Sequence, residues 1–142
     1  MKIDSRGPRF TASVTAVLLA TALLVPEGVA TGLIALQAAF FAIGVGLGVQ
    51  STPTGLVFRH LVRPRLSPPA ELEDPAPPRF AQGVGLAFTV VALVGYLTGA
   101  VLVAQVAVGL ALVAALLNAV FAFCLGCEMY LLGARLTARA AP

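Results

Sequence analysis

Residues 101–132 form a long apolar run, VLVAQVAVGLALVAALLNAVFAFCLGCEMYLL, whose last part carries the only two cysteines of the chain. As a single straight helix this run would extend about 48 Å, whereas the hydrocarbon core of a bilayer is about 30 Å thick. The helix must therefore project well beyond the membrane or break. A span of about twenty residues would end near Phe121, and Gly126 is the candidate weak point. In both cases the run predicts a membrane-spanning helix with Cys124 and Cys127 at one of its ends.

The composition is that of an integral membrane protein. Of 142 residues, 59% are hydrophobic and 11% are charged, whereas a soluble domain carries about 25% charged residues. The net charge of +3 does not indicate a nucleic-acid-binding protein, because the basic residues flank apolar segments and form no patch on a soluble domain. A C-x-x-C pair indicates a redox site or half of a metal site. We therefore expect one transmembrane domain that contacts the lipid bilayer and no nucleic acid.

Four apolar segments are long enough to cross a bilayer. The first also fits a secretory signal peptide, with a basic start and small residues from Gly28 onward, but we interpret it as a span. The turns after the first and third segments are short, so each pair is expected to form a hairpin. We predict an all-α membrane protein with four transmembrane helices in two hairpins, which form a single domain over residues 1–142. The predicted spans lie at about 10–25, 29–49, 80–98 and 101–122. A cytoplasmic loop is expected at 50–79 and the C-x-x-C segment at 121–136.

The loop between the second and third spans contains residues that are typical of the start of a helix. Thr52 followed by Pro53 is typical of a helix N-cap with proline at the first helical position. Residues 54–62, TGLVFRHLV, mix apolar and basic side chains and predict a short helix that lies on the membrane surface. Because proline cannot continue a helix, we expect residues 63–78 to be extended.

A short repeat divides the chain into halves. Pro8-Arg9-Phe10 and Pro78-Arg79-Phe80 lie seventy positions apart, and each precedes a predicted hairpin. Two helices in each half would make the repeat parallel, with both halves entering the membrane from the same side.

The basic residues predict the orientation. All nine lie at the N-terminus, in the loop at 50–79 or at the C-terminus, and the two short turns contain none. With four spans these three segments share one side of the membrane, which the positive-inside rule makes cytoplasmic. We therefore expect a multi-pass plasma-membrane protein with cytoplasmic termini and its cysteines near the cytoplasmic interface.

The spacing of the cysteines suits thiol–disulfide exchange. Residues three apart on a helix share a face and can form a disulfide, and exchange needs a second thiol close enough to resolve a mixed disulfide. If the helix breaks near Phe121, the pair begins a new helix whose N-terminal dipole favours a thiolate. Glu128 could accept a proton during exchange, although its charge opposes thiolate formation. The candidate catalytic residues are Cys124, Cys127 and Glu128.

Two other interpretations of the pair stay open. Cysteines are among the most buried residue types, so both could simply pack in the core. A structural metal site needs four ligands, and one chain offers two thiols and His60. Only a homodimer sharing two cysteine pairs would supply enough ligands, so we expect no metal.

Three amide side chains lie within the apolar runs. Gln37, Gln105 and Asn118 could each join helices by a hydrogen bond worth roughly 0.6–2 kcal/mol. The alternative is that they line a substrate cavity.

Several short stretches stand out together: Arg6 with Arg9-Phe10, Arg63-Pro64-Arg65, residues 79–83 (RFAQG), and residues 124–127 (CLGC) with Tyr130. Together they resemble the bacterial membrane proteins of domain-of-unknown-function family 4395. The similarity covers nearly the whole chain and implies a small four-helix protein of the bacterial inner membrane. Members often occur beside thioredoxin-like and rhodanese-like proteins, which implies thiol redox or sulfur-transfer chemistry with such a partner.

We therefore expect a membrane-embedded thiol–disulfide oxidoreductase or sulfur-transfer protein. It would need no cofactor, with a membrane quinone as one candidate electron acceptor. The alternatives are a structural or assembly subunit without chemistry of its own and a small carrier for a sulfur compound. The candidate binding residues, which would attract an acidic partner or a sulfur anion, are Arg59, Arg63, Arg65 and Arg79, with Tyr130 added from the family motif.

Overall fold

A computed structural model describes residues 2–68 and 71–140 of the chain. The prediction of an all-α protein with four long apolar helices is confirmed. Each of the four is long and apolar enough to cross a membrane, as the hydropathy of the runs requires. These helices are α1 (Arg6–Leu24), α2 (Glu27–Leu47), α4 (Ala76–Thr98) and α5 (Val101–Phe121); the shorter α3 (Pro53–Val57) lies between α2 and α4, and α6 (Leu125–Ala140) follows α5.

The four long helices form a ring. Helix α1 packs against α2 and α5, and α4 packs against the same two helices from the other side. The start of α1 contacts the end of α5, where Arg9 donates a hydrogen bond to the Ala119 carbonyl. The start of α4 contacts the end of α2, where Arg79 binds the Val45 carbonyl. We call this end of the bundle the site end, and the opposite end, which holds the connections at residues 25–26 and 99–100, the turn end.

The hydrophobic core lies toward the turn end. It is built from small and aliphatic side chains, so the helices approach closely there, as is usual for helix packing in membranes. A Cβ atom on Gly95 would stand 2.9 Å from the Ala100 carbonyl oxygen. The buried core residues are Leu19, Ala22, Ala30, Ile34, Ala92, Ala104, Ala107, Val108 and Ala111.

The segment between α2 and α4 is more ordered than expected. Thr52 caps α3 as predicted, accepting a hydrogen bond from the Gly55 amide, with Pro53 in the first turn. The expectation that residues 63–78 are extended was wrong in two places. Residues Arg63–Arg65 form a 3-10 turn, and α4 already begins at Ala76. Proline is tolerated in a first helical turn because the amide hydrogen it lacks would have no partner there.

A two-stranded antiparallel sheet, which the sequence did not indicate, closes the site end. Strand β1 (Ile3–Asp4) pairs with β2 (Leu72–Glu73), with Ile3 opposite Glu73. The pair ties the chain just before α1 to the segment just before α4. These are also the two places where the proposed repeat begins.

The long apolar run breaks between α5 and α6, close to the residue set by the membrane thickness. Ala122 adopts a left-handed conformation with φ of 55°, and its amide donates to the Asn118 carbonyl. The bond from the Ala122 amide is that of an αL cap, and the Phe123 amide reaches back further, to the Leu117 carbonyl at 3.1 Å. Gly126, the candidate weak point, is not at the break. It lies inside α6, where a Cβ would come within 2.6 Å of Ala81, so its function is close packing of α6 on α4.

Candidate functional site

The cysteine pair forms a disulfide at the start of α6. Cys124 directly precedes the first helical residue, and its Cα atom lies 5.1 Å from that of Cys127. The Cys127 amide donates a hydrogen bond to the Cys124 sulfur at 3.2 Å, and the Glu128 amide donates to the Cys124 carbonyl at 3.0 Å. The positive end of the α6 dipole therefore acts on Cys124. When the pair is reduced, a thiolate at this position is stabilised by the amide and the dipole together.

Both cysteines are half-buried. The disulfide is therefore neither enclosed among hydrocarbon side chains nor fully exposed. Cys124 lines an internal cavity that Cys127 does not line. The two cysteines thus differ in that only Cys124 contributes to the cavity wall.

Glu128 lies in the first turn of α6 with its side chain exposed. A carboxylate at this position interacts favourably with the helix dipole. In the described part of the chain its carboxylate accepts no hydrogen bond, so the structure gives no direct contact for the proton-accepting role that the sequence suggested.

Tyr130 holds α6 against α4. Its ring packs on Phe80 with the centroids 5.8 Å apart and the planes tilted by 52°. This contact lies one turn beyond the close approach of Gly126 to Ala81. We therefore assign Tyr130 a positioning function for the helix that carries the disulfide.

The four candidate arginines are spread over the site end and have separate partners. Arg79 donates to the carbonyls of Val45 and Gly46, at 2.5 and 2.7 Å, and so caps the end of α2. Arg65 donates to the Leu61 carbonyl within its own turn. Arg63 lies 3.8 Å from the Asp4 carboxylate. Arg59 lines a pocket of about 220 Å³ together with Arg63 and Lys2.

Arg9 was not among the predicted site residues. Its bond to the Ala119 carbonyl, at 3.1 Å, satisfies an acceptor near the end of α5, a few residues before Cys124. The short sequence repeat could have indicated this contact, because Arg9 and Arg79 occupy the same position in its two copies. Each binds the carbonyl end of a neighbouring helix.

The sheet at the site end carries two perturbed carboxyl groups. Asp4 is buried and accepts hydrogen bonds from the Arg6 guanidinium at 2.9 and 3.1 Å. That guanidinium holds the pKa of Asp4 below its ordinary value, against the opposing effect of burial. Burial raises the pKa of Glu73, and the nearby carboxylates of Glu71 and Asp4 add to the increase. The first group favours folding when ionised and the second opposes it.

A cavity of about 350 Å³ lies inside the bundle at the site end. Its wall comes from α1, α2, α4 and α5 and from the start of α6. Most of the lining is apolar, including Phe41, Phe88 and Ala115. Cys124 stands at one end of the cavity, and the polar members of the wall are Thr11, Thr15, Gln82 and Asn118.

The three amides of the apolar runs have three different environments. Gln37 is buried and donates to the Thr15 hydroxyl at 3.4 Å, so it joins α2 to α1 as one alternative predicted. Asn118 lines the cavity, which was the other alternative. Gln105 is exposed on the outside of α5 and does neither. Gln82, on α4, also lines the cavity, although the sequence indicated it only as part of the family motif.

A sequence model described as "Domain of unknown function (DUF4395)" matches residues 3–135. The match covers the four long helices, the disulfide and most of α6. No curated protein and no solved structure shows significant similarity to the chain. Among residues 2–68 and 71–140 no three His, Cys, Asp or Glu side chains are grouped closely enough to hold a metal ion.

Proposed function

Since the chain belongs to the DUF4395 family, whose description gives no activity, we propose a function from its own geometry. It is a membrane-embedded thiol–disulfide oxidoreductase whose Cys124–Cys127 disulfide accepts electrons from a thioredoxin-like or rhodanese-like partner. The observation that carries this proposal is the position of the disulfide at the N-terminus of α6, with the Cys127 amide bonded to the Cys124 sulfur.

From their positions we assign the two cysteines different roles. A thiolate of the partner attacks the sulfur of Cys127, so the Cys124–Cys127 bond breaks and a bond between the partner and Cys127 forms. Cys124 leaves as a thiolate that the amide and the helix dipole stabilise. A second thiolate of the partner then attacks the partner's own sulfur and releases Cys127. The partner is oxidised to its disulfide, and this chain is left with two thiols.

The charge distribution supports a cytoplasmic site. Seven of the nine basic residues belong to segments at the site end, and the turn end carries only Glu27. By the positive-inside rule the site end and both termini face the cytoplasm of a plasma membrane. In this arrangement α1–α2 and α4–α5 are two hairpins of a parallel repeat, and α3 and α6 lie along the inner membrane surface.

The exposed basic side chains near the site suit an acidic partner. Arg59 and Lys2 have no carboxylate partner among the described residues, and both line the small pocket beside Asp4. Free charges at the rim of an interface accelerate encounter more than they increase affinity. Arg65 and Arg79 are exposed as well, but each already binds a carbonyl of this chain.

The alternatives have less support. A carrier for a sulfur anion would need a polar passage, whereas the internal cavity is mostly apolar. In a structural subunit, or in a homodimer that shares metal through its cysteines, the hydrogen bond from the Cys127 amide to the Cys124 sulfur would take no part in a reaction.

The test uses the full chain in membranes with a reduced thioredoxin. Free thiols are counted by a maleimide reagent that adds mass, before and after the thioredoxin is added. We expect two thiols to appear in each chain, and none when the thioredoxin lacks its cysteines. A pair that stays unlabelled under both conditions would contradict the proposal.

Two single variants separate the roles of the cysteines. With a thioredoxin that lacks its resolving cysteine and carries an activated disulfide, Cys124→Ser should form a stable mixed disulfide through Cys127. Cys127→Ser should form much less, because Cys124 lies toward the cavity. Equal trapping by both variants would reject this assignment while leaving the redox function intact.

A further inference from the structure

We propose that the cavity beside Cys124 binds a lipid-soluble quinone, which reoxidises the cysteine pair. This inference rests on the proposed function, because a disulfide that accepts electrons from a partner must pass them on. The cavity lies within a bundle of four membrane-length helices, so a ligand dissolved in the bilayer can reach it.

The exposed residues of the cavity wall point to an opening between α5 and α6. Four residues of its wall are also exposed on the outer surface: Leu110, Val113 and Met129, each 54% exposed, and Leu125, which is 38% exposed. They belong to two helices that make little contact with each other, because α6 packs on α4 instead. A hydrophobic molecule can therefore enter from the lipid without crossing the polar site end.

The cavity offers polar groups that have no partner within the protein. The side-chain amides of Gln82 and Asn118 are half-buried and make no hydrogen bond to any described residue, although both line a mostly apolar space. Unpaired amides inside a membrane bundle are unfavourable. The hydroxyl of Thr15 accepts a hydrogen bond from Gln37, which leaves its own proton available. These groups are suited to donate to the carbonyl oxygens of a ligand.

The size and chemistry of the cavity favour a quinone over other apolar ligands. A volume of about 350 Å³ is at the lower end of small-molecule sites and fits one substituted ring. Phe41 and Phe88 supply aromatic surface, and the amides supply donors. A lipid acyl chain would use the aromatic surface but would leave the amides unpaired.

The redox step balances without another reactant. The two thiols of Cys124 and Cys127 lose two protons and two electrons, and one sulfur–sulfur bond forms between them. The quinone gains the same two electrons and two protons at its carbonyl oxygens and leaves as the quinol. Cys124 is the cysteine that faces the quinone, and its thiolate is the form that the α6 N-terminus stabilises.

The test uses the reduced full chain in nanodiscs of synthetic phosphatidylcholine that contain no quinone. Ubiquinone-1 is added without oxygen, and thiols and quinol are measured over time. We expect one quinol for each disulfide formed. Asn118→Leu should slow this oxidation about threefold to tenfold, the effect of one lost hydrogen bond. Ala115→Phe, which fills the cavity, should slow it more.

Gln105→Leu is the matched control, because it removes an exposed amide from the same helix outside the cavity. It should oxidise at the wild-type rate. The proposal is overturned if the wild-type thiols stay reduced, or if all three variants react equally fast with ubiquinone-1.

Exchange with reduced thioredoxin, measured in the same nanodiscs before quinone is added, keeps the two proposals separate. Normal exchange without oxidation by ubiquinone-1 rejects only the quinone site. Failure of wild-type exchange rejects the proposed function. The fold of any variant that loses both reactions is checked by circular dichroism and gel filtration. If Ala115→Phe does not fold, the oxidation rate of Asn118→Leu tests the quinone site.

Discussion

The two ends of the bundle differ in how the same four helices pack. At the turn end the helices touch through alanine and glycine, and the core cluster includes Ala92 and Ala104, both fully buried. At the site end the same helices surround a cavity, and two arginines bind carbonyls near the ends of neighbouring helices. The turn end holds the hydrophobic core that stabilises the bundle, and the site end carries the unpaired amides and the disulfide.

The sharpest way to test this division is to overpack the turn end. In Gly95→Ala the new methyl group would stand 2.9 Å from the Ala100 carbonyl oxygen and 3.0 Å from the Ala104 Cβ. We expect a loss of about 1–3 kcal/mol in the free energy of unfolding, measured by thermal unfolding in detergent micelles. Gly109→Ala is the control, because nothing lies within 4 Å of a Cβ there. If both variants unfold alike, the turn end is not the tightly packed one.

At the site end the corresponding test removes a bond between helices. Arg79→Gln loses the charge-assisted hydrogen bonds to the end of α2, and because the side chain is exposed we expect a loss of only about 1–2 kcal/mol. Arg139→Gln, on exposed α6, should have little effect. If Arg79→Gln is as stable as wild type, water binds the carbonyls of Val45 and Gly46 as well as the guanidinium does.

A third test separates stability from function within the site end. Gly126→Ala places a methyl group 2.6 Å from Ala81 and should push α6 away from α4. We expect faster cleavage by trypsin after Arg135 and slower exchange with thioredoxin, because α6 is held mainly by α4. Gly133→Ala, on the same helix with open space around it, is the control. Unchanged proteolysis would show that α6 does not depend on this contact.

The break between α5 and α6 predicts an increase in stability. Ala122 holds a φ of 55°, which glycine adopts without the steric cost that a Cβ imposes. Ala122→Gly should therefore stabilise the protein by about 0.5–1 kcal/mol, measured as a higher unfolding temperature. A decrease would indicate that the left-handed cap is not formed.

The smallest expected effect is a pH dependence at the β1–β2 sheet. The pKa of Glu73 is raised in the folded state, so folding becomes less favourable as the pH rises from the unfolded pKa through the folded one. Glu73→Gln should slightly raise the unfolding temperature at neutral pH, and the gain should vanish in acid below the unfolded pKa. Asp4 has a lowered pKa and must behave in the opposite way. Asp4→Asn should lose stability at neutral pH and approach wild type in acid.

Some of the site was predictable because it follows from local rules. The Thr52 cap follows from one residue pair, and the end of α5 at Phe121 follows from the thickness of the membrane. The 3-10 turn at Arg63–Arg65 and the early start of α4 were missed for a local reason as well. Proline prevents a helix from continuing through it but does not prevent one from starting at it.

The sequence by itself determined the membrane class and the four spans, and it gave a break before the cysteine pair as one of two outcomes. These features depend on hydropathy and segment length, which are properties of a few consecutive helical turns. Only the tertiary structure decided that Gly126 packs on Ala81, that Arg9 and Arg79 bind neighbouring helix ends, and that Asn118 and Cys124 share a cavity. Such contacts join residues from distant parts of the chain, and they depend on how the helices rotate and separate when they pack.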